Sequence, residues 1–171
     1  RWAREITQRP KIVVHNWCYH GSVDETVAIL ENGRTVARQG NIGKPVSLDQ
    51  TTRVVEINDL PELETALAHG DVAACLFEPA LTNIGIVLPD AGYHAAVREL
   101  CTRYGTLLII DETHTISAGP GGCTKAWNLE PDFVTIGKTL GAGIASGAYG
   151  MTERVRKMVY ENTDTKNTDV G

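Results

Sequence analysis

The stretch LLIIDETHTISAGPGGCTKAWNLEPDFVTIGKTLGAG, residues 107–143, decides the fold. It opens on Leu107-Leu108-Ile109-Ile110 and places a carboxylate, Asp111, directly after that apolar run. A second run, Phe133-Val134-Thr135-Ile136-Gly137, ends on an amine, Lys138. Short β-rich apolar runs bounded by turn residues read as strands buried on both faces, as parallel sheets require. Ligands of open α/β sheets bind beyond the carboxyl ends of such strands. Asp111 and Lys138 are thereby delivered to one edge of one sheet.

Working outward, residues 72–77 read as the preceding buried strand, which delivers Glu78 and Pro79 to the same edge. Between it and residue 107, the pattern Tyr93, Val97, Leu100, Cys101, Tyr104 predicts an amphipathic helix over 90–104, with Asp90 as its cap and Gly105 as its stop. Further upstream, residues 54–57 form a strand candidate. A helix follows with Asp59 at its N-cap, Pro61 in its first turn and Glu62 three residues after the cap. Leu60, Leu63 and Leu67 are its buried stripe, and His69-Gly70 ends it. KIVVH, residues 11–15, is another strand, leading into Asn16-Trp17-Cys18-Tyr19-His20-Gly21. Residues 1–6 read as helix, residues 24–30 as helix, and residues 33–43 as a Gly-rich surface excursion. Downstream, residues 146–151 form a last strand, and Thr152 caps a helix to about residue 160. Strands alternating with helices mean a mostly parallel sheet flanked by helices, an α/β fold.

The whole chain has 171 residues, enough for one respectable core. Its formal charge of −5 argues against general nucleic-acid binding. No apolar run approaches the roughly 20 residues of a membrane span. The four cysteines, Cys18, Cys75, Cys101 and Cys123, are scattered without a CxxC pair, so buried thiols are expected rather than disulfides or a metal site. That usage suits the cytoplasm. Residue 1 already reads as mid-helix and residues 162–171 are polar with no closing element, which suggests a fragment.

The strand ends collect His15 with Tyr19, Glu78, Asp111 and Lys138 on one edge. Each alone has an ordinary reading: Asp111 as a turn residue, Lys138 as a solvated amine, Tyr19 and His20 as strand-end packing, Glu78 as half of an ion pair. Together, an acid and an amine suit a cofactor with a basic ring nitrogen and an aldehyde, which is the chemistry of pyridoxal 5'-phosphate. Two glycine motifs compete. Gly119-Pro120-Gly121-Gly122 invites a phosphate loop and Gly141-Ala142-Gly143 a dinucleotide loop. Neither has the flanking strand, helix and partner residues of its fingerprint, so both read as tight backbone approach near a cofactor.

DET, residues 111–113, together with PDFVTIGKTLGAG, residues 131–143, resembles the cofactor-lysine signature of class III (omega-type) pyridoxal-phosphate-dependent aminotransferases. The likeness is to the branch that includes glutamate-1-semialdehyde aminomutase, and it extends over almost the whole chain. It implies the large domain of the fold type I transferases, with residues 1–171 as its central part. The family's phosphate-holding loop would then precede residue 1, and a threonine lent to the neighbouring subunit would follow residue 171. A homodimer with a shared active site is also implied.

The resemblance implies roles residue by residue. Lys138 forms the Schiff base and Asp111 pairs with the ring nitrogen. Tyr19, in the segment Tyr19-His20-Gly21, stacks on the ring, with His20 a supporting or substrate-side group. Thr113 packs on the opposite face, where the family usually has Val or Ile. His114 lies near the cofactor's 3-hydroxyl, and Glu78 supports the site. Asn83 stands on the substrate side, where ornithine- and GABA-type enzymes carry a glutamate that pairs with a mobile arginine, so no such gate is expected. The implied reaction moves an amino group from an amine or amino acid to a keto acid or aldehyde. Asn83 leans toward a 2,1-aminomutase, whereas Thr113-His114 departs from the usual aminomutase sequence. A nicotinamide-binding Rossmann oxidoreductase, or a fragment inactive alone, is the alternative from another class. The Rossmann reading lacks the acidic residue about 20 positions after a glycine fingerprint.

Overall fold

The computed structural model describes residues 1–43 and 47–164. Its centre is a six-stranded sheet. The strands are β1 (Lys11–His15), β4 (Thr52–Val55), β5 (Val72–Phe77), β6 (Leu107–Asp111), β7 (Phe133–Ile136) and β8 (Ala148–Met151). They lie in the order β4-β1-β5-β6-β7-β8. The first five are parallel, and β8 runs antiparallel to β7. Helices α1 (Trp2–Thr7) and α5 (Glu153–Asn162) cover one face; α2 (Leu60–Ala68) and α3 (Tyr93–Arg103) cover the other, and a short α4 (Gly122–Ala126) lies between β6 and β7 in the chain.

The run of apolar residues in β6 serves both faces in turn. Leu108 and Ile110 join Leu63, Leu67, Val97 and Phe77 under α2 and α3, whereas Leu107 joins Ala3, Ile6, Phe133 and Val155 under α1 and α5. A strand whose side chains alternate between two cores has no polar side, which is why the run is continuous rather than alternating. Helix α2 starts where the cap was expected, with Glu62 N–H donating to Asp59 Oδ1 at 2.8 Å. The Glu62 side chain accepts from the Glu56 backbone at 2.7 Å. Thr152 likewise caps α5, accepting from Val155 N–H at 3.3 Å. All four cysteines are buried with free thiols, and the sulfurs of Cys75 and Cys101 lie 3.6 Å apart.

Three expectations fail. Residues 24–30 are not helical: a single 3-10 turn at Asp24–Thr26 gives way to β2 (Ala28–Glu31), which pairs antiparallel with β3 (Arg34–Ala37). The two-residue turn between them is Asn32-Gly33, with φ of 51° and 73°. Two successive positive φ angles are what a tight hairpin turn demands, and Asn-Gly supplies them at least cost. Residues 33–43 are therefore only in part a loose excursion. Second, Asp90 does not cap α3. Gly92 does, at φ 82°, while Asp90 C=O accepts from Tyr93 N–H at 3.0 Å and Asp90 N–H donates to Asn58 Oδ1 at 2.8 Å. Third, the strand read over 54–57 begins two residues earlier, as β4, with Ile57 packed beyond its end. Residues 165–171, most of the polar end, lie outside the described residues.

Candidate active site

Strands β1, β5, β6 and β7 all end on the same edge, and the turns beyond them build one cavity of about 290 Å³. Tyr19, Glu78, Asp111, Thr113, His114 and Lys138 line it, with His20 beside Asp111. The edge inferred from strand direction alone is thus the edge on which the groups meet. Asn83 does not line the cavity; it is exposed and reaches the site by donating its amide to Glu78 Oε1 at 3.3 Å. His15, at the end of β1, is fully buried. Its ring stacks on Phe77 at 3.7 Å and its Nε2 bonds the Tyr93 hydroxyl at 2.8 Å, so it belongs to the core.

Asp111 is the last residue of β6, and its side chain is 9% exposed. His20 Nδ1–H donates to Asp111 Oδ2 at 2.7 Å, and the Thr113 N–H donates to Oδ1 at 2.9 Å. Burial alone would raise the Asp111 carboxyl, but the bonds from His20 and Thr113 outweigh it and hold the group at about 2. Burial alone would also neutralise His20; its bonds to Asp111 and Cys18 instead push the imidazole up to about 10. The pair is therefore ionised at neutral pH, a carboxylate with an imidazolium behind it. The two bonds use about half of what a carboxylate can accept, which leaves capacity for a donor in the cavity.

Glu78 is 4% exposed and accepts from three neutral donors: Tyr19 N–H at 3.3 Å, Asn83 Nδ2 at 3.3 Å and Thr82 Oγ1 at 2.5 Å. It holds the Tyr19 loop by its backbone. That loop is fastened from its other side by Arg38, which donates to Cys18 C=O and stacks over Trp17 at 5.5 Å. Leu30 N–H also donates to Asn16 Oδ1 at 3.0 Å, so the hairpin β2-β3 is part of the mounting for Tyr19. Lys138 is exposed and has φ 45°, a left-handed conformation that costs a non-glycine residue roughly 1 kcal/mol. It opens a 3-10 turn, Lys138–Gly141, directly after β7.

The glycine motif 119–122 does not approach the cavity. A Cβ on Gly122 would lie 2.6–2.9 Å from the carboxylate of Glu112, which is wholly buried and accepts from Thr115 Oγ1 at 2.5 Å and Cys123 N–H at 3.3 Å. The close approach expected near a cofactor is made to this buried acid instead. In the second motif, a Cβ on Gly141 would meet Ser146 Oγ at 2.9 Å. Two site features were not expected. One is the Asp111–His20 pair itself, although both residues had been singled out. The other is Thr82, whose only signal was its place in the loop after Glu78. No group of three or more possible metal ligands occurs among the described residues.

A mostly parallel sheet with a buried acid, an aromatic ring and a lysine at its carboxyl edge is the α/β architecture that the chain shares with solved aminotransferases of fold type I. The chain belongs to the aminotransferase class-III family, whose pattern it matches over residues 1–168. It is 42% identical, over 88% of its length, to a glutamate-1-semialdehyde 2,1-aminomutase of Opitutus terrae, of which it covers 36%. A solved structure of a glutamate-1-semialdehyde aminomutase from Pseudomonas aeruginosa PAO1, a Lys-to-Ala variant in complex with PMP, superposes at a TM-score of 0.92. It has 45% identity to the chain and covers 100% of it. An omega-transaminase from Sphaerobacter thermophilus is similar at a TM-score of 0.79 and 30% identity over 91% of the chain. The chain spans 38% and 37% of those two structures.

Proposed function

We propose that residues 1–171 are the central part of the large domain of a pyridoxal-phosphate-dependent aminotransferase. It moves an amino group from an amine or amino acid to a keto acid or aldehyde. The observation that carries this reading is the single cavity shared by Asp111, Tyr19 and Lys138. When bound, pyridoxal phosphate supplies an aldehyde for a lysine amine and a ring that draws electrons from the reacting centre.

The residues fit that group. Asp111, kept ionised by His20 and Thr113, would accept the ring N–H and favour the protonated ring. Tyr19 offers its aromatic face, a contact worth about 0.5–1.5 kcal/mol, and Thr113 bounds the cavity with a β-branched side chain. Lys138 Nζ would hold the group covalently, and its free amine would serve as the base that carries the proton between substrate atoms. Glu78 orients the Tyr19 loop, and His114 meets the ligand from its own side of the wall. Asn83, neutral and at the rim, supports a pocket without a glutamate–arginine gate.

A second reading, an aminomutase that moves the amino group within one molecule, is favoured by Asn83 and by the names of the relatives at 42% and 45% identity. A full-length homodimer with a shared site, acting on small molecules in the cytoplasm, completes the proposal. The four buried free thiols suit that compartment.

Purified full-length protein should be yellow and bleach on addition of an amino donor, and Lys138→Ala should lose the colour. A colourless wild type that binds a nicotinamide dinucleotide would overturn the reading. Product analysis separates the two activities: an aminotransferase loads a separate keto acid or aldehyde, whereas an aminomutase yields only the rearranged isomer.

A further inference from the structure

Thr82 lies in the loop after β5, and its hydroxyl stands between two groups of the cavity wall. It is bonded to Glu78 Oε2 at 2.5 Å and to His114 Nδ1. Glu78 and His114 both line the cavity. A hydroxyl has one proton to give, and an ionised carboxylate only accepts. With that proton committed to Glu78, the bond to His114 closes only when Nδ1 carries hydrogen and donates to Thr82 Oγ1. The tautomer of the ring follows from this arrangement, because the partner of one nitrogen sets the state of the other. Nδ1 is protonated, and Nε2 is what the neutral ring can offer a ligand. Glu78 is steadied for the task by its other oxygen, which accepts from Tyr19 N–H and Asn83 Nδ2, both at 3.3 Å.

We propose that Glu78, Thr82 and His114 form a carboxylate–hydroxyl–imidazole relay that presents His114 Nε2 to the cavity as a hydrogen-bond acceptor. The group seated against His114 is accordingly a donor, a hydroxyl or an ammonium of the bound cofactor or substrate. Thr82 is a positioning residue that acts through His114. The inference needs the cavity to be a ligand site but does not depend on which cofactor fills it.

Full-length protein labelled with 15N-histidine tests this at about pH 8, above the ordinary imidazole pKa. The His114 signals are assigned by their loss in His114→Asn. The expected spectrum has a protonated Nδ1 and an unprotonated Nε2. Thr82→Val, similar in shape but without the hydroxyl, shifts that population toward the Nε2–H form, and Thr82→Ser restores it. In turnover, Thr82→Val lowers kcat/KM about tenfold, as expected for one lost hydrogen bond to a charged group, and Thr82→Ser stays near wild type. A wild-type His114 in the Nε2–H form, or a Thr82→Val spectrum identical to wild type, overturns the relay. Should Thr82→Val not fold, the wild-type spectrum alone decides. A colourless wild type would remove the cofactor reading and leave this spectrum to be judged separately.

Discussion

His20 and Asp111 are 91 positions apart in the chain and 2.7 Å apart in space. Their mutual charge gives a pH dependence whose sign follows from each partner. His20 is raised to about 10, so its contribution to stability is full below its unfolded value near 6.5 and disappears as pH climbs toward 10. Asp111 is lowered to about 2, so its contribution is full above its unfolded value near 3.8 and disappears as pH falls toward 2. Urea unfolding of the full-length protein should show this pair's support strongest from about pH 4 to 6.5, and His20→Asn should flatten the alkaline decline. Asp111→Asn replaces a charged acceptor with a neutral amide. Pyridoxal phosphate affinity, measured by equilibrium dialysis, should fall about ten- to a hundredfold, the worth of a charge-assisted hydrogen bond. At this scale Glu78, Asp111 and Lys138 were legible from the sequence because each directly follows an apolar run, whereas Tyr19 stood out only through the resemblance. The partners of Tyr19 and Asp111 were not legible, because hydrogen bonds across 59 and 91 positions leave no mark on local periodicity.

Elements were legible where their ends carry chemistry. The Asp59 cap and the buried Leu63 and Leu67 of α2 stand as read. Asp59→Ala should cost about 1 kcal/mol in urea unfolding while leaving cofactor affinity unchanged. The hairpin β2-β3 was misread although the apolar run Val27-Ala28-Ile29-Leu30 and the turn Asn32-Gly33 mark it. The motif at 119–122 shows the opposite fault: the tight approach expected near a cofactor is made to a buried acid, Glu112. Gly122→Ala should destabilise the fold by roughly 1–3 kcal/mol, since it adds an atom against Glu112 at φ 61°. A thermal melt is sufficient to see the change, and a variant as stable as wild type would contradict the close approach.

For the whole molecule, the core between the sheet and α2 and α3 and the site occupy different parts of the sheet. Leu67 is on the fully buried side of α2, in the core shared with α3 and away from the cavity lining. Leu67→Ala should therefore cost about 2–5 kcal/mol in urea unfolding and leave cofactor affinity of the folded fraction unchanged. The amino acid order by itself determined the parallel strands and the edge at which the acid and the amine arrive. It could do so because an apolar run, a turn residue and a chain direction are local properties. Only the tertiary structure decided that β8 runs antiparallel, that Asn83 stays out of the cavity lining and bonds Glu78, that His20 backs Asp111 and that Thr82 joins Glu78 to His114. Those facts depend on which distant side chains come within about 3 Å, and no stretch of sequence contains that distance.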